Sequence, residues 1–313
     1  MKKLLLLLTL VGMFATACEE AGVDGGVNGP AVSYDHNKIW YTNGSTSKPT
    51  LPSDLYAFGG ASLVSNEYDT KKECWVITFD RNVTTIGDEA FYDCSSLTSI
   101  TIPDSVMSIE RYAFYGCSSL TSITIPDGVT SIGYCAFDGC SSLTSITIPD
   151  SVMSIEGFAF CGCSSLTSIT ILDGVTSIGV YTFHNCSSLT SITIPDSVTS
   201  IGDSAFDGCS SLTSITIPDG VTSIGDYAFC GCSSLTSITI PDGVTSIEEY
   251  AFKKCTSLTE VYCKSTTPPS CESGIFENNA SGRKIYVPME SVKAYKSASV
   301  WSDYADAIVG YDF

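Results

Sequence analysis

The sequence predicts a repeat solenoid, an α/β fold made mostly of short β-strands, closed by a cap at each end. Three observations carry this. One template, C-S-S-L-T-S-I-T-I-P-D-x-V-x-S-I-x-x-x-A-F-x-x, begins at Cys94 and again at Cys117, Cys140, Cys163, Cys186, Cys209, Cys232 and Cys255, always 23 residues on. A fixed period in the twenties is the mark of stacked coils. Within one coil the apolar residues Leu97, Ile100, Ile102, Val106, Ile109, Ala113 and Phe114 follow neither a helical nor a strand period alone. A Pro-Asp pair punctuates nearly every copy.

In the coil from Cys94, Leu97-x-x-Ile100-x-Ile102 has the form of a leucine-rich entry and strand, with Ile100 and Ile102 inward and Ser99 and Thr101 outward by strand alternation. Pro103-Asp104 ends the ladder because proline has no N–H to donate. Val106 to Ile109 reads as a second extended piece, and Ala113-Phe114 as a tight helical turn that plugs the core. Eight coils at strand spacing of about 4.8 Å give a rod of roughly 40 Å. One coil cannot bury its own face, so the ends require caps. Residues 36–93 form the N-terminal cap, β-like from Lys38 to Asp80 and then a degenerate first turn from Cys74 to Cys94; 94–262 are the solenoid. Residues 263–313 form the C-terminal cap, with a strand Lys284–Pro288 and an aromatic-bearing helix from about Glu290 to Ala298.

The first residues read as an export signal over 1–17: Lys2 and Lys3, an apolar run from Leu4 to Phe14, and the small residues Ala15, Thr16 and Ala17 before Cys18. The run is too short to span a bilayer. The small triplet followed by cysteine resembles a bacterial lipobox, which implies cleavage before Cys18 and acylation of that residue; an ordinary secretory signal is the alternative. Residues 18–35, rich in Gly and Val, would be a tether. Glu19 and Glu20 resemble the signal that sends some lipoproteins of the Bacteroidetes to the cell exterior, so the expected location is the bacterial outer membrane, facing outward. The formal charge of −19 becomes −21 without Lys2 and Lys3, which disfavours nucleic acid and anionic lipid as partners. A lipid anchor would be the chain's contact with the membrane.

The motif I-P-x-x-V-x-x-I-x-x-x-A-F-x-x-C-x-x-L resembles the BspA-type leucine-rich repeat, and Tyr286-Val287-Pro288, Val292, Tyr295 and Trp301 resemble the C-terminal cap of such proteins. The resemblance implies a surface or secreted protein of a host-associated bacterium, with extracellular-matrix proteins, other host proteins or surface glycans as partners. A stiff spacer or surface-coat scaffold is the rival reading, and a glycan-binding accessory protein a third.

The ladder cysteines end the Ala-Phe turn, where a small buried side chain must fit. A disulfide ladder is disfavoured because side chains pointing the same way bridge poorly. Cys263 with Cys271 could close a loop. No metal site or cofactor is expected: in the C-x-C pairs Cys161/Cys163 and Cys230/Cys232 one member of each is committed to the core. A second ladder, Asp104, Asp127, Asp150, Asp173, Asp196, Asp219 and Asp242, is expected to accept hydrogen bonds from its own turns, and its stacked charges could recruit Ca²⁺. Repeated Thr and Ser make an uncharged outer strand face suited to hydroxyl bonding along the stack or to a repetitive ligand.

Variation is confined mainly to the slots around Ala-Phe. One slot reads Glu89, Tyr112, Cys135, Phe158, Tyr181, Ser204, Tyr227, Tyr250; another reads Tyr92, Tyr115, Asp138, Cys161, His184, Asp207, Cys230, Lys253. If the rod distinguishes partners, the aromatic members Tyr92, Tyr112, Tyr115, Phe158, Tyr181, Tyr227 and Tyr250, with His184, are the candidate contacts, since aromatics anchor interfaces; interturn packing is the other role open to them. No catalytic residue is assigned. His36 and His184 are the only histidines, and no nucleophile, zinc-protease, P-loop or dinucleotide motif occurs.

Overall fold

The computed structural model describes residues 36–44 and 57–313; the expected export signal, Cys18 and the expected tether lie outside them. Each coil turns its apolar residues inward, so that Leu143, Ile146, Ile148, Val152, Ile155, Ala159, Phe160 and Cys163 are all buried, as are their counterparts in neighbouring coils. The first strands stack in parallel with no shift of register, Ser145, Ser168 and Ser191 lying side by side. The extended piece expected at Val106 to Ile109 is the two-residue strand Ser108–Ile109, paired with Thr85–Ile86 and Ser131–Ile132 in a second parallel ladder. Between the two ladders the chain turns on the proline, where the Val106 N–H donates to the Pro103 carbonyl at 3.0 Å.

The third side departs from expectation. Ala113-Phe114 is not on a helix but in a run of β-turns, because Tyr112 just before it has a left-handed φ of 56° that no helix accommodates. Backbone N–H groups there alternate. Ala113, Tyr115 and Cys117 donate within their own coil to Glu110, Tyr112 and Phe114, while Tyr112, Phe114 and Gly116 donate forward to Tyr134, Ala136 and Asp138 at 2.7–2.9 Å. On the first sheet the bonds run the other way, Thr121 N–H reaching back to Thr98 at 3.1 Å.

A phenylalanine column runs through the core. Phe91, Phe114, Phe137, Phe160, Phe183, Phe206, Phe229, Phe252 and Phe276 lie in near-parallel stacks with neighbouring centroids 5.2–5.7 Å apart. Both ends of the column meet an edge-on aromatic: Phe58 against Phe91 at 73°, and Trp301 against Phe276 at 61°. The cysteine ladder sits beside it with a role beyond small size. The Cys163 thiol donates to the Phe137 carbonyl of the preceding coil at 3.2 Å, and the same bond recurs from Cys117 through Cys255. Burial pushes these thiols well up, Cys255 to about 12. All fourteen cysteines of the described residues are free, Cys263 and Cys271 included, so the loop closure considered for that pair is not formed.

The N-terminal cap is an antiparallel meander of β1 (Lys38–Thr42), β2 (Leu63–Asp69) and β3 (Cys74–Phe79). β1 pairs antiparallel with Ser99–Thr101 on one side and with β3 on the other, so the open edge of the first sheet is covered. At the other end the expected strand Lys284–Pro288 is present, flanked by Glu260–Cys263 and Ile308–Tyr311. The expected helix resolves into a 3₁₀ turn Met289–Ser291 and α1 (Val292–Ser297), locked by Tyr295 Oη and Trp301 Nε1 donating to the Ser265 and Pro269 carbonyls at 2.9 Å. The second ladder is interrupted once. Ser154–Ile155 ends one run, Ile178 makes a single bridge to Ile201, and the intervening coil carries Leu172 where the other coils have proline.

Truncating the centre of the column, Phe160→Ala, is expected to cost about 3–5 kcal/mol, read from the urea midpoint. Because each coil touches only its neighbours, lost amide protection should centre on residues 137–183; uniform loss along the rod would contradict that.

Candidate functional site

Each coil carries two left-handed residues. One position holds Asp93, Gly116, Gly139, Gly162, Asn185, Gly208, Gly231 and Lys254, mostly the residue types that accept positive φ. The other holds Glu89, Tyr112, Cys135, Phe158, Tyr181, Ser204, Tyr227 and Tyr250, all at φ between 52° and 58°. Bulky side chains are uncommon there, and placing them costs of order 1 kcal/mol each. The first variable slot of the sequence is therefore a strained backbone position, filled with aromatic residues where glycine would be relaxed.

These residues form a continuous track over the first half of the rod. Tyr92 stacks on Tyr115 at 4.9 Å, Tyr112 meets Tyr134 edge-on at 5.7 Å, Tyr134 leans on Phe158 at 5.4 Å, and Phe158 stacks on Tyr181 at 4.5 Å. His184 continues it, edge-on to Tyr181 at 5.2 Å. Glu89, Tyr92, Tyr112, Tyr115, Tyr134, Cys135, Asp138 and Phe158 line an open groove of about 620 Å³ along this track. The track stops where buried Ser204 takes the slot, and Tyr227 with Tyr250 form a separate patch at 5.1 Å, with Lys253 Nζ 3.9 Å from the Tyr250 ring centre. The seven aromatic candidates therefore fall into two groups. Tyr134 belongs to the groove although the two slots named from the sequence omit it; it occupies the position of Arg111, Gly157 and Val180, where the repeat shows no pattern to flag it.

The second variable slot sits beside the track. Burial raises the Asp138 carboxyl above its ordinary range, an effect opposed by the neighbouring thiols of Cys161 and Cys135. Asp207 is raised in the same way by burial, with His184 Nδ1 3.6 Å from its carboxylate.

The other outward rows are used differently. The Thr121 hydroxyl donates to the Thr98 carbonyl at 3.1 Å, and Thr144, Thr167, Thr190 and Thr213 repeat the bond coil by coil. Ser141, Ser164, Ser187, Ser210 and Ser233 form a second such ladder. These hydroxyls act along the stack. Asp104, Asp127, Asp150, Asp173, Asp196, Asp219 and Asp242 stand exposed in one row, and their carboxylates do not take up the turn N–H groups as expected. The valine-to-proline backbone bond already closes most of those turns. A denser acidic group, absent from the sequence reading, joins Asp226, Glu248 and Glu272, with carboxylate oxygens within 4.8 Å of one another; the charge of Glu248 holds the Glu272 carboxyl above its usual range.

Comparison with known proteins bears on the whole arrangement. The model of the BspA type leucine-rich repeat region matches residues 62–190 and 176–299, in six copies. The chain belongs to this family. A BspA-type chain of this architecture is similar to a solved leucine-rich repeat protein of Bacteroides ovatus, 31% identical with a TM-score of 0.53, over 67% of this chain and 60% of that one. The present chain thus spans less than two thirds of that relative's length. It is also similar to a leucine-rich cell surface protein of Faecalibacterium prausnitzii, at 31% identity and a TM-score of 0.52, over 78% of this chain and 77% of that one. None of the curated proteins matches the chain. Among the described residues no helix is long and apolar enough to cross a membrane.

Tyr181→Gly removes a strained side chain and also its stacking on Phe158, terms of about 1 kcal/mol each and opposite sign, so the urea midpoint should move by no more than about 1 kcal/mol. Tyr181→Val, β-branched at the same φ, should be clearly destabilising. Equal losses in the two variants would mean that packing, not backbone strain, dominates the slot.

Proposed function

We propose that this BspA-type chain is an exported, lipid-anchored surface protein that binds host or microbial macromolecules noncovalently through its aromatic track. The observation that carries the reading is the row of tyrosine and phenylalanine at left-handed positions. Rigid half-exposed aromatics in a groove are the groups that anchor interfaces, and here they are held at a backbone conformation that bulky side chains seldom adopt. The net charge of −19 and the acidic rim at Glu89 and Asp138 favour partners that are neutral or basic. Extracellular-matrix proteins come first, surface glycans second. The reading assigns no catalytic residue and no cofactor.

The spacer reading has its own support, because the Thr121-type and Ser141-type hydroxyls spend their donors inside the stack rather than presenting them. Immobilised matrix proteins, mucins and glycans, probed with the chain from Glu19 onward, separate the two. Saturable binding is expected, and Tyr112→Ala, Phe158→Ala or Tyr181→Ala should weaken it by about 30-fold each if they are hot spots worth about 2 kcal/mol. Binding that ignores all three substitutions, or no binding across the panel, would favour the spacer.

The anchor is tested in a bacterium that makes the protein. Wild type should take up labelled fatty acid and stay with the cells, while Cys18→Ala should lose the label and appear in the medium. Undiminished labelling of Cys18→Ala would end the lipoprotein reading.

A further inference from the structure

We infer that the aromatic groove receives the ammonium group of a lysine side chain presented by a partner protein, held by the rings of Tyr112 and Tyr115 together with the Asp138 carboxylate. The inference rests on the reading of this groove as the binding surface and names the group that enters it.

The chain itself shows the arrangement once. In the coil of Tyr250 the second variable slot holds Lys253, whose Nζ lies 3.9 Å from the Tyr250 ring centre and 3.2 Å from the Glu277 carboxylate of the following coil. Tyr112, Tyr115 and Asp138 stand at the corresponding three places of an earlier pair of coils. The two sets share one backbone. Lys253 N–H donates to the Tyr250 carbonyl at 2.9 Å and Tyr115 N–H to the Tyr112 carbonyl at 3.1 Å, while Lys254 and Gly116 N–H donate forward to the Glu277 and Asp138 carbonyls, both at 2.8 Å. Tyr112 and Tyr250 have φ of 56° and 57°. What the earlier set lacks is the cation: Tyr115 stands in the place of Lys253, adding a ring and removing the ammonium.

No side chain lining the groove supplies that charge. The lining has two carboxylates, Glu89 and Asp138, and neither lysine nor arginine. Among the described residues neither carboxylate has an ion-pair partner, and the chain holds no lysine or arginine from Tyr112 to Phe252. Arg111 does reach Tyr112, its guanidinium 5.6 Å from the ring centre, but it pairs with Asp88 at 3.4 Å and does not line the groove. The rings suit a cation. Tyr112 stands at 72–85° to Tyr92, Tyr115 and Tyr134, so the groove is walled by rings in two orientations. An ammonium within about 6 Å of a ring centre is drawn to the ring face, and the more so beside a carboxylate. Lysine suits the place because its apolar stem lies along ring surface while its compact charge reaches Asp138, and an open groove of about 620 Å³ admits the stem.

The test uses the chain from Glu19 onward and the peptide acetyl-Gly-Lys-Gly-amide as the probe, followed by NMR of the lysine ε-methylene protons. A saturable upfield shift, the mark of a group over a ring face, is expected, and the same peptide with norleucine should show none. Tyr112→Ser, which installs the residue that another coil already carries at Ser204, and Asp138→Asn should each weaken binding about fivefold. Asp127→Asn, equal in charge but on another row, should leave it unchanged. Tyr115→Lys copies the Tyr250 coil and should abolish binding, its tethered ammonium taking the place. No shift with the lysine peptide, an equal shift with norleucine, choline bound more tightly than the peptide, or binding that survives both Tyr112→Ser and Asp138→Asn overturns the proposal; the norleucine and choline arms need no variant. The adhesive reading is judged apart. A matrix protein whose binding falls with Phe158→Ala but not with acetylation of its own lysines overturns the lysine and leaves that reading in place.

Discussion

Ring-on-ring contact along the phenylalanine column sets the rise of every coil. With centroids 5.2–5.7 Å apart, the column holds a spacing close to that of paired strands, about 4.8 Å. The two short parallel ladders and the forward-donating turns can then close at once. The cysteine that follows each phenylalanine ties its thiol to the preceding ring's own carbonyl, so column and backbone are held in one register. Serine would offer a stronger donor but a poorer apolar fit; alanine would fit and leave that contact unmade. A position that at first looks like a mere small-residue slot is therefore also a hydrogen-bonding one.

The parts legible in the sequence are those that repeat. Periodicity alone locates the first strand, its inward isoleucines, the proline exit and the second extended piece, because burial acts on the same residues in every coil. The strand Lys284–Pro288 is readable for a different reason, its alternating apolar residues bounded by lysine and proline. What stays hidden is backbone sign. Glycine and asparagine betray one left-handed position per coil, but the other is occupied by tyrosine, phenylalanine, cysteine and serine, none of which announces positive φ. The Ala-Phe segment consequently reads as helical when it is a chain of β-turns. Equally hidden are contacts between coils, such as Tyr134 with Phe158 or Phe158 with Tyr181, since each joins residues more than 20 positions apart.

The molecule divides its surface by task. Hydroxyl rows on the strand side work inward, each donating to a backbone carbonyl one coil away. Around the Ala-Phe turn most main-chain N–H groups donate to backbone carbonyls, within the coil or forward, and in several coils a carboxylate completes the set, Glu156 accepting from Tyr134 N–H. Diversity collects there, and with it the aromatic track and the groove.

The caps meet the solenoid through features that every coil shares, a strand edge for β1 and a stacked ring at each end, Phe91 on Phe114 and Phe276 on Phe252. Neither end therefore registers how many coils lie between them. Recombination among near-identical 23-residue units could add or remove whole rungs, each changing the length by about one strand spacing, without a misfit at either terminus. Rod length is in this sense a free variable of the design, and lineages could adjust the reach of the rod while its chemistry stays fixed.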